Sequence, residues 1–254
     1  MKRKCSLLLI AVMACMMLAA CGKAETAAEP TKVPTATTAP TATEAPTSTP
    51  TPTPEPTATP TPEPTEAPVA ADTYVKGIIT ETGFESEWMG LRFTKPATVI
   101  MATQEEMDAV MMQGLQVMYG DQAAAVLDYA TLTTVNEMQA TWLAGTPIVQ
   151  IVVEKMPTEG WTEMAYLSAV AENLNVTSQT TGMVYTIDEN IYSLVIADQE
   201  YYGLATAVDI GAGALIYQDY LVREKDGRMI LIAFSYVEAM ESYVQEALDA
   251  FSKY

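Results

Sequence analysis

The chain of 254 residues contains no histidine. That removes the commonest general base, the commonest metal ligand and the usual pH switch near neutrality. Ser-His-Asp, Cys-His and His-Glu-x-x-His sites are excluded with it. Cysteine is almost as scarce. Cys5, Cys15 and Cys21 are the three present, and none follows residue 21. The body of the chain therefore has no disulfide, no thiolate nucleophile and no Cys-bound zinc, and its stability has to come from a packed core. Positive charge is thin as well, with 13 Lys and Arg against 32 Asp and Glu and a net charge of −19. From residue 73 onward the balance is 8 against 25, a net charge of −17. Such a surface repels phosphate backbones, so no nucleic-acid partner is expected. An acidic body of this kind stays dissolved, and a monomer is expected.

A run long enough to span a bilayer is also missing. The apolar stretch SLLLIAVMACMML at residues 6–18 falls short of the about 20 residues a spanning helix needs. It follows the basic head Met1-Lys2-Arg3-Lys4 and leads into Leu18-Ala19-Ala20-Cys21. Head, run and small residues make an export signal. Its last four residues resemble the lipobox of bacterial lipoproteins. The resemblance implies cleavage between Ala20 and Cys21, a signal peptide at 1–20, and a diacylglyceryl group on the Cys21 thiol. One acyl chain holds a protein reversibly, whereas two or more anchor it. The expected location is thus the outer face of a cell membrane, with the membrane as partner through lipid on Cys21. The alternative is a plain secretory signal in which Cys21 is incidental.

Residues 21–72 lack aromatic residues altogether and carry a Thr-Pro beat, as in TPTPTPEPTATPTPEP. A segment this poor in apolar side chains cannot repay its ordering entropy. Proline removes donors and fixes φ, so an extended, disordered linker is expected. At about 3.1 Å per residue its reach is on the order of 150 Å. A stalk of that length suits a domain working within or beyond the thick wall of a Gram-positive bacterium.

Residues 73–254 are long enough for one domain with a real core. Strands are expected at 74–80 and 89–94, the second closed by Pro96. Thr103-Gln-Glu-Glu106 reads as a capping box. Behind it Met107, Met111, Leu115 and Met118 form one apolar stripe, and Gly120 is a stop. Strands at 132–142 and 148–154 precede a helix at 162–174, with Met164, Leu167, Val170, Ala171 and Leu174 inward. Strands at 183–187, 192–197, 201–210, 214–224 and 229–236 follow. Gly211-Ala212-Gly213 and Asp226-Gly227 are the turn signals joining the last three. A closing helix is expected at 238–251, burying Met240, Val244, Ala247, Leu248 and Phe251.

The stretch MILIAFSY at 229–236 is apolar on both faces, where a half-exposed antiparallel strand would alternate. It needs cover on both sides. The expected fold is α/β, a three-layer α/β/α sandwich with a largely antiparallel sheet. An opening hairpin with Gly90-Leu91-Arg92-Phe93 and Pro96, then helix, hairpin, helix, meander and closing helix, resembles the PsbP-like fold. That fold is shared by the photosystem II extrinsic subunit P and the Ran-binding factor Mog, and is similar to domains of uncharacterised Gram-positive lipoproteins. VNEMQATWLAGTPIVQIVVEKMP at 135–157 and YLVREKDGRMILIAFSY at 220–236 carry the likeness. The resemblance implies the fold and no site residue. A cystatin-like α+β fold is the alternative.

Several residues invite a chemical reading. Glu85 and Glu87 in FESEW, if extended, share a face about 7 Å apart, near the carboxylate spacing of an inverting glycosidase. Trp88 beside them offers a stacking surface, and the three together are the candidate binding residues. The plainer reading is a solvated strand edge. Asp188-Glu189-Asn190 and Asp198-Gln199-Glu200 bracket a strand and offer oxygens to Ca²⁺, although turn chemistry explains the same residues. Gly211-Ala212-Gly213 lacks the third glycine of a dinucleotide site. The methionines fall on core stripes, where Met fills gaps. No catalytic residue, metal ligand or cofactor is assigned. The expected function is a cell-surface lipoprotein whose domain is a non-catalytic binding module for an unknown surface ligand or protein. Trp88, Trp142 and Tyr201 are its natural contact aromatics. The alternative is a surface hydrolase acting on polysaccharide through paired carboxylates.

Overall fold

In the 229–236 segment every residue but the last is buried, as its two-sided apolar pattern requires. This computed structural model describes residues 73–209 and 215–254. The expected signal, Cys21, the Thr/Pro linker and the Gly211-Ala212-Gly213 turn lie outside them.

Among the described residues, twelve strands and four α-helices follow in chain order. They are β1 (Ile78–Thr80), β2 (Gly83–Ser86), β3 (Leu91–Thr94), β4 (Val99–Met101), α1 (Gln104–Tyr119), α2 (Ala123–Ala130), β5 (Thr134–Trp142) and β6 (Ile148–Lys155). Then come α3 (Glu163–Thr181), β7 (Val184–Ile187), β8 (Tyr192–Ile196), β9 (Gln199–Asp209), β10 (Leu215–Lys225), β11 (Arg228–Tyr236), α4 (Glu241–Asp249) and β12 (Phe251–Lys253).

The central sheet has eight strands in the order β4-β5-β6-β11-β10-β9-β7, with β8 also on β9. All its ladders are antiparallel. β11 lies in the middle, which is why it is apolar on both faces. One face packs Leu204, Tyr220, Val222 and Leu231 against α1, α2 and α3, including Met111, Leu115, Leu167 and Val170. The other packs Ile151, Leu221, Ile230 and Phe234 against a second, four-stranded sheet, β1-β2-β3-β12, and against Ala247 of α4. At roughly 1.5–3 kcal/mol for each fully buried large apolar side chain, these two cores are what orders the chain.

The mixed α/β class with a largely antiparallel sheet is therefore as expected. The second outer layer differs in composition, being a small sheet with one helix. It closes through the C-terminus: after α4 the chain leaves the helix, and Phe251 pairs Phe93 in register with ring centroids 5.0 Å apart. A helix to 251 was expected, and Met240, Val244 and Leu248 are only half-buried. The apolar demand of Phe93 draws Phe251 into strand pairing instead. A single long helix across one curved sheet, the cystatin-like alternative, does not describe these layers.

Local signals set most boundaries. The capping box forms: the Glu106 amide donates to Thr103 Oγ1 at 3.2 Å, and the Thr103 amide to Glu106 Oε2 at 2.7 Å. Asp226 and Gly227 both take positive φ, 51° and 73°, in the two-residue turn joining β10 to β11. α3 outruns its expected end by seven residues, to a left-handed cap at Gly182. Thr177 is wholly buried, so tertiary packing overrides the poor helix propensity of that segment. Met164, expected inward, is exposed. β2, β4, α2 and β12 have no counterpart among the expected elements. Among the described residues no helix is long and apolar enough to cross a membrane.

Candidate functional site

Glu85 lies on β2 opposite Arg92 of β3, and Arg92 Nε donates to Glu85 Oε1 at 2.9 Å. Glu87 is past the end of the strand, exposed on the turn whose Gly90 amide donates to the Glu87 carbonyl. The extended spacing that would put the two on one face is lost where β2 stops at Ser86. Trp88 is only 8% exposed. Tyr74 meets its ring edge-on at 5.1 Å, and Lys225 Nζ sits 5.5 Å from its centroid. Trp142 and Tyr201 are buried too, with Trp142 Nε1 donating to Glu246 Oε2 of α4. None of the three expected contact aromatics offers an open face; each is core, because the sheet face that carries it is covered. Asp188 closes an Asx turn, accepting from the Asn190 amide at 2.9 Å, and Asp198 pairs with Lys253. No group of three or more acidic or thiol ligands converges among the described residues.

The carboxylates whose pKa is raised by burial lie elsewhere, and each is held by tyrosine. Glu137 of β5 is buried and accepts from the Tyr74 hydroxyl, and from the Gly77 amide at 2.9 Å. It is the extra residue of a β-bulge, between Asn136 opposite Val152 and Met138 opposite Ile151. A bulge re-aims a side chain, here toward the segment entering β1. Burial raises the Glu137 pKa, and the hydrogen bonds from Tyr74 and Gly77 oppose it. Glu154 of β6 accepts from the Tyr166 hydroxyl of α3 at 2.9 Å, and burial pushes its pKa up to about 8. Asp219 of β10 accepts from Tyr192 at 3.1 Å and from Tyr236 at 3.2 Å, and its pKa is raised by burial. In a domain without histidine and with few cations, phenols take over the pairing of buried acids.

Only the Asp219 group opens to solvent. It stands on the small-sheet face of the central sheet, where Tyr192 is exposed and Tyr217, Asp219 and Tyr236 are half-buried. The Tyr192 ring lies over Gly203, where a Cβ would come within 2.4 Å of it. Tyr217, opposite Tyr236 in register, stacks on it with centroids 5.7 Å apart and planes 22° apart. Ala205 and Ala207 make a low floor beside them, half-buried, while Val184 and Leu215 are exposed at its border. The result is a flat aromatic surface around one hydrogen-bonded carboxylate. Each carboxylate oxygen accepts more than one hydrogen bond, so Asp219 keeps acceptor capacity toward solvent. Sequence reasoning passed over these residues. The one signal was the alternation along β10, where Tyr217 and Asp219 fall on the opposite face from Ile216, Gln218, Tyr220 and Val222.

No family model matches the chain, and no curated protein sequence matches it. Among solved structures, cyanobacterial PsbP (CyanoP) from Synechocystis sp. PCC 6803 is similar, with 15% sequence identity and a TM-score of 0.40. The match covers 65% of this chain and 87% of that one. The fold class stated above rests on the observed strands and helices themselves.

Proposed function

We propose that this chain is a cell-surface lipoprotein, anchored through lipid on Cys21 and a Thr/Pro stalk. Its domain is a non-catalytic binding module. The contact face is the open sheet surface of Tyr192, Tyr217 and Tyr236 around Asp219, and the ligand is a neutral, hydroxyl-rich polymer of the cell envelope or its surroundings. The observation that carries this reading is the hydrogen-bonded, half-buried Asp219 between exposed Tyr192 and half-buried Tyr236. Flat aromatic rings pack against the apolar faces of sugar rings, and Asp219 and the phenols exchange hydrogen bonds with hydroxyls. A net charge of −17 from residue 73 onward disfavours anionic polymers.

The hydrolase alternative lacks a facing carboxylate pair here, since Glu85 is engaged by Arg92 and Glu87 lies beyond the strand. The test is retention of the mature chain on neutral and on anionic wall polysaccharides. Asp219→Asn and Tyr217→Ala should each weaken retention by about threefold to tenfold, the worth of one lost hydrogen bond or contact, in chains that remain folded at the assay temperature. Undiminished retention in both variants refutes the assigned face. Anchoring is tested separately by feeding cells a labelled fatty acid: label should enter the wild type and be lost in Cys21→Ala.

A further inference from the structure

A second surface differs in chemistry from the tyrosine face and sits on the opposite side of the same sheet edge. β7 and β8 pair successive stretches of β9, from Val184 opposite Asp209 to Ile187 opposite Thr206, and from Tyr192 opposite Gly203 to Ile196 opposite Gln199. Between them the chain leaves the sheet at 188–191. The Asp188 amide still donates to the Ala205 carbonyl at 2.9 Å, and the Asx turn at Asn190 gives the excursion a set shape. α3 crosses the helix-side face next to this excursion without filling the angle. What remains is a cleft of about 540 Å³, within the range of small-molecule sites.

Its floor is Leu167 of α3 and Leu204 of β9, both buried, and its walls are Ala171 and Ile191. Asp188 and Glu189 stand at its mouth, and neither Lys nor Arg lines it. The backbone and side-chain hydrogen bonds from Asn190 hold the Asp188 pKa below the usual range, so that carboxylate is charged at neutral pH. A recess with an apolar floor and an acidic rim, lined also by Ser168, Asn175 and Tyr185, selects by charge complementarity. An anion is repelled, a hydrophilic cation gains nothing from the floor, and a neutral apolar molecule leaves the carboxylates unused.

We infer that this cleft binds a small organic cation with an apolar body, such as a primary aralkyl amine, its ammonium at Asp188 and Glu189 and its hydrocarbon part on Leu167 and Leu204. This site is independent of the lipid anchor and of the tyrosine face, and survives the failure of either.

The experiment uses the full mature chain carrying Cys21→Ala, with 2-phenylethylamine as probe and phenylacetate and ethanolamine as controls, followed by amide NMR. Phenylethylamine should shift amides at 167–171 and 187–191, while both controls leave them unmoved. Glu189→Gln, at an exposed position, should weaken binding about threefold to fivefold, and raising the salt should do the same. Ala171→Phe fills the recess and should abolish binding; Ile191→Ser, on the exposed wall, should weaken it without loading the core. Equal shifts with phenylacetate or with ethanolamine overturn the inference. So does full binding in folded Ala171→Phe or in Ile191→Ser, or the absence of any shift with phenylethylamine.

Discussion

The Tyr166 hydroxyl of α3 donates to Glu154 Oε2 of β6 at 2.9 Å, and both residues are buried between helix and sheet. Burial raises the Glu154 pKa from an ordinary 4.5 to about 8, against the opposing hydrogen bond. Between those values the folded chain keeps a proton that the unfolded chain has released. Unfolding then releases a proton, so stability is greatest below pH 4.5 for this group and is lost as pH rises through 8. Melting temperatures of the mature chain should fall by several degrees between pH 6 and pH 9, an effect on the order of 1–3 kcal/mol. Glu154→Gln should flatten that slope. A slope unchanged in Glu154→Gln would assign it to other groups.

Tyr166→Phe removes the donor and leaves the Glu154 carboxyl buried without it. The cost should be about 1–3 kcal/mol, the desolvation penalty of an unsatisfied polar group. Denaturant unfolding measures it, and the loss should be larger at pH 9 than at pH 6, because ionised Glu154 needs the donor more. Equal losses at the two pH values would contradict the pairing.

The Tyr74–Glu137 hydrogen bond closes the segment entering β1 onto the bulge of β5. Arg228 lies 4.2 Å above the Tyr74 ring centroid, on the same cluster. Tyr74→Phe should cost about 1 kcal/mol and open residues 73–77 to protease several-fold faster than the rest of the domain. Uniform cleavage rates across the domain would sink this expectation.

Tyr192 and Tyr236 have phenol pKa values raised first by burial and then by the Asp219 charge. An ultraviolet titration should therefore find Tyr192 and Tyr236, with the buried Tyr166 and Tyr201, still protonated after the exposed ones have ionised. Asp219→Asn should bring Tyr192 and Tyr236 down part of the way, since burial remains. No late-titrating tyrosine, or no response to Asp219→Asn, would argue against the arrangement.

At Gly203 an added Cβ meets the Tyr192 ring at 2.4 Å. Gly203→Ala should displace that ring from Asp219 and weaken polysaccharide retention about as much as Asp219→Asn does. Stability should fall by about 1 kcal/mol, because Tyr192 is at the surface and has room to move. A variant that binds normally would remove Tyr192 from the contact face.

What the sequence alone determined is what depends on neighbours along the chain. The capping box at Thr103 and Glu106, the Asp226-Gly227 turn and the two-sided apolar run of β11 are local patterns, and each appears where it was expected. So are the exclusions: a body without imidazole or thiol has no site that needs them, wherever the chain folds. The expected lipid anchor rests on the same kind of evidence, the residues around Cys21.

Tertiary structure decided the candidate site. Glu137 meets Tyr74 across 63 residues, and Asp219 meets Tyr192 across 27. Which acids become buried follows from how the sheets stack, and no spacing rule encodes that. The same stacking buried Trp88, Trp142 and Tyr201 and left Tyr217 half-buried, although all four are aromatic residues. Phe251 left its helix for β3 because Phe93 was there to pair with. Burial depends on partners brought from far along the chain, and a linear pattern records only the demand for them.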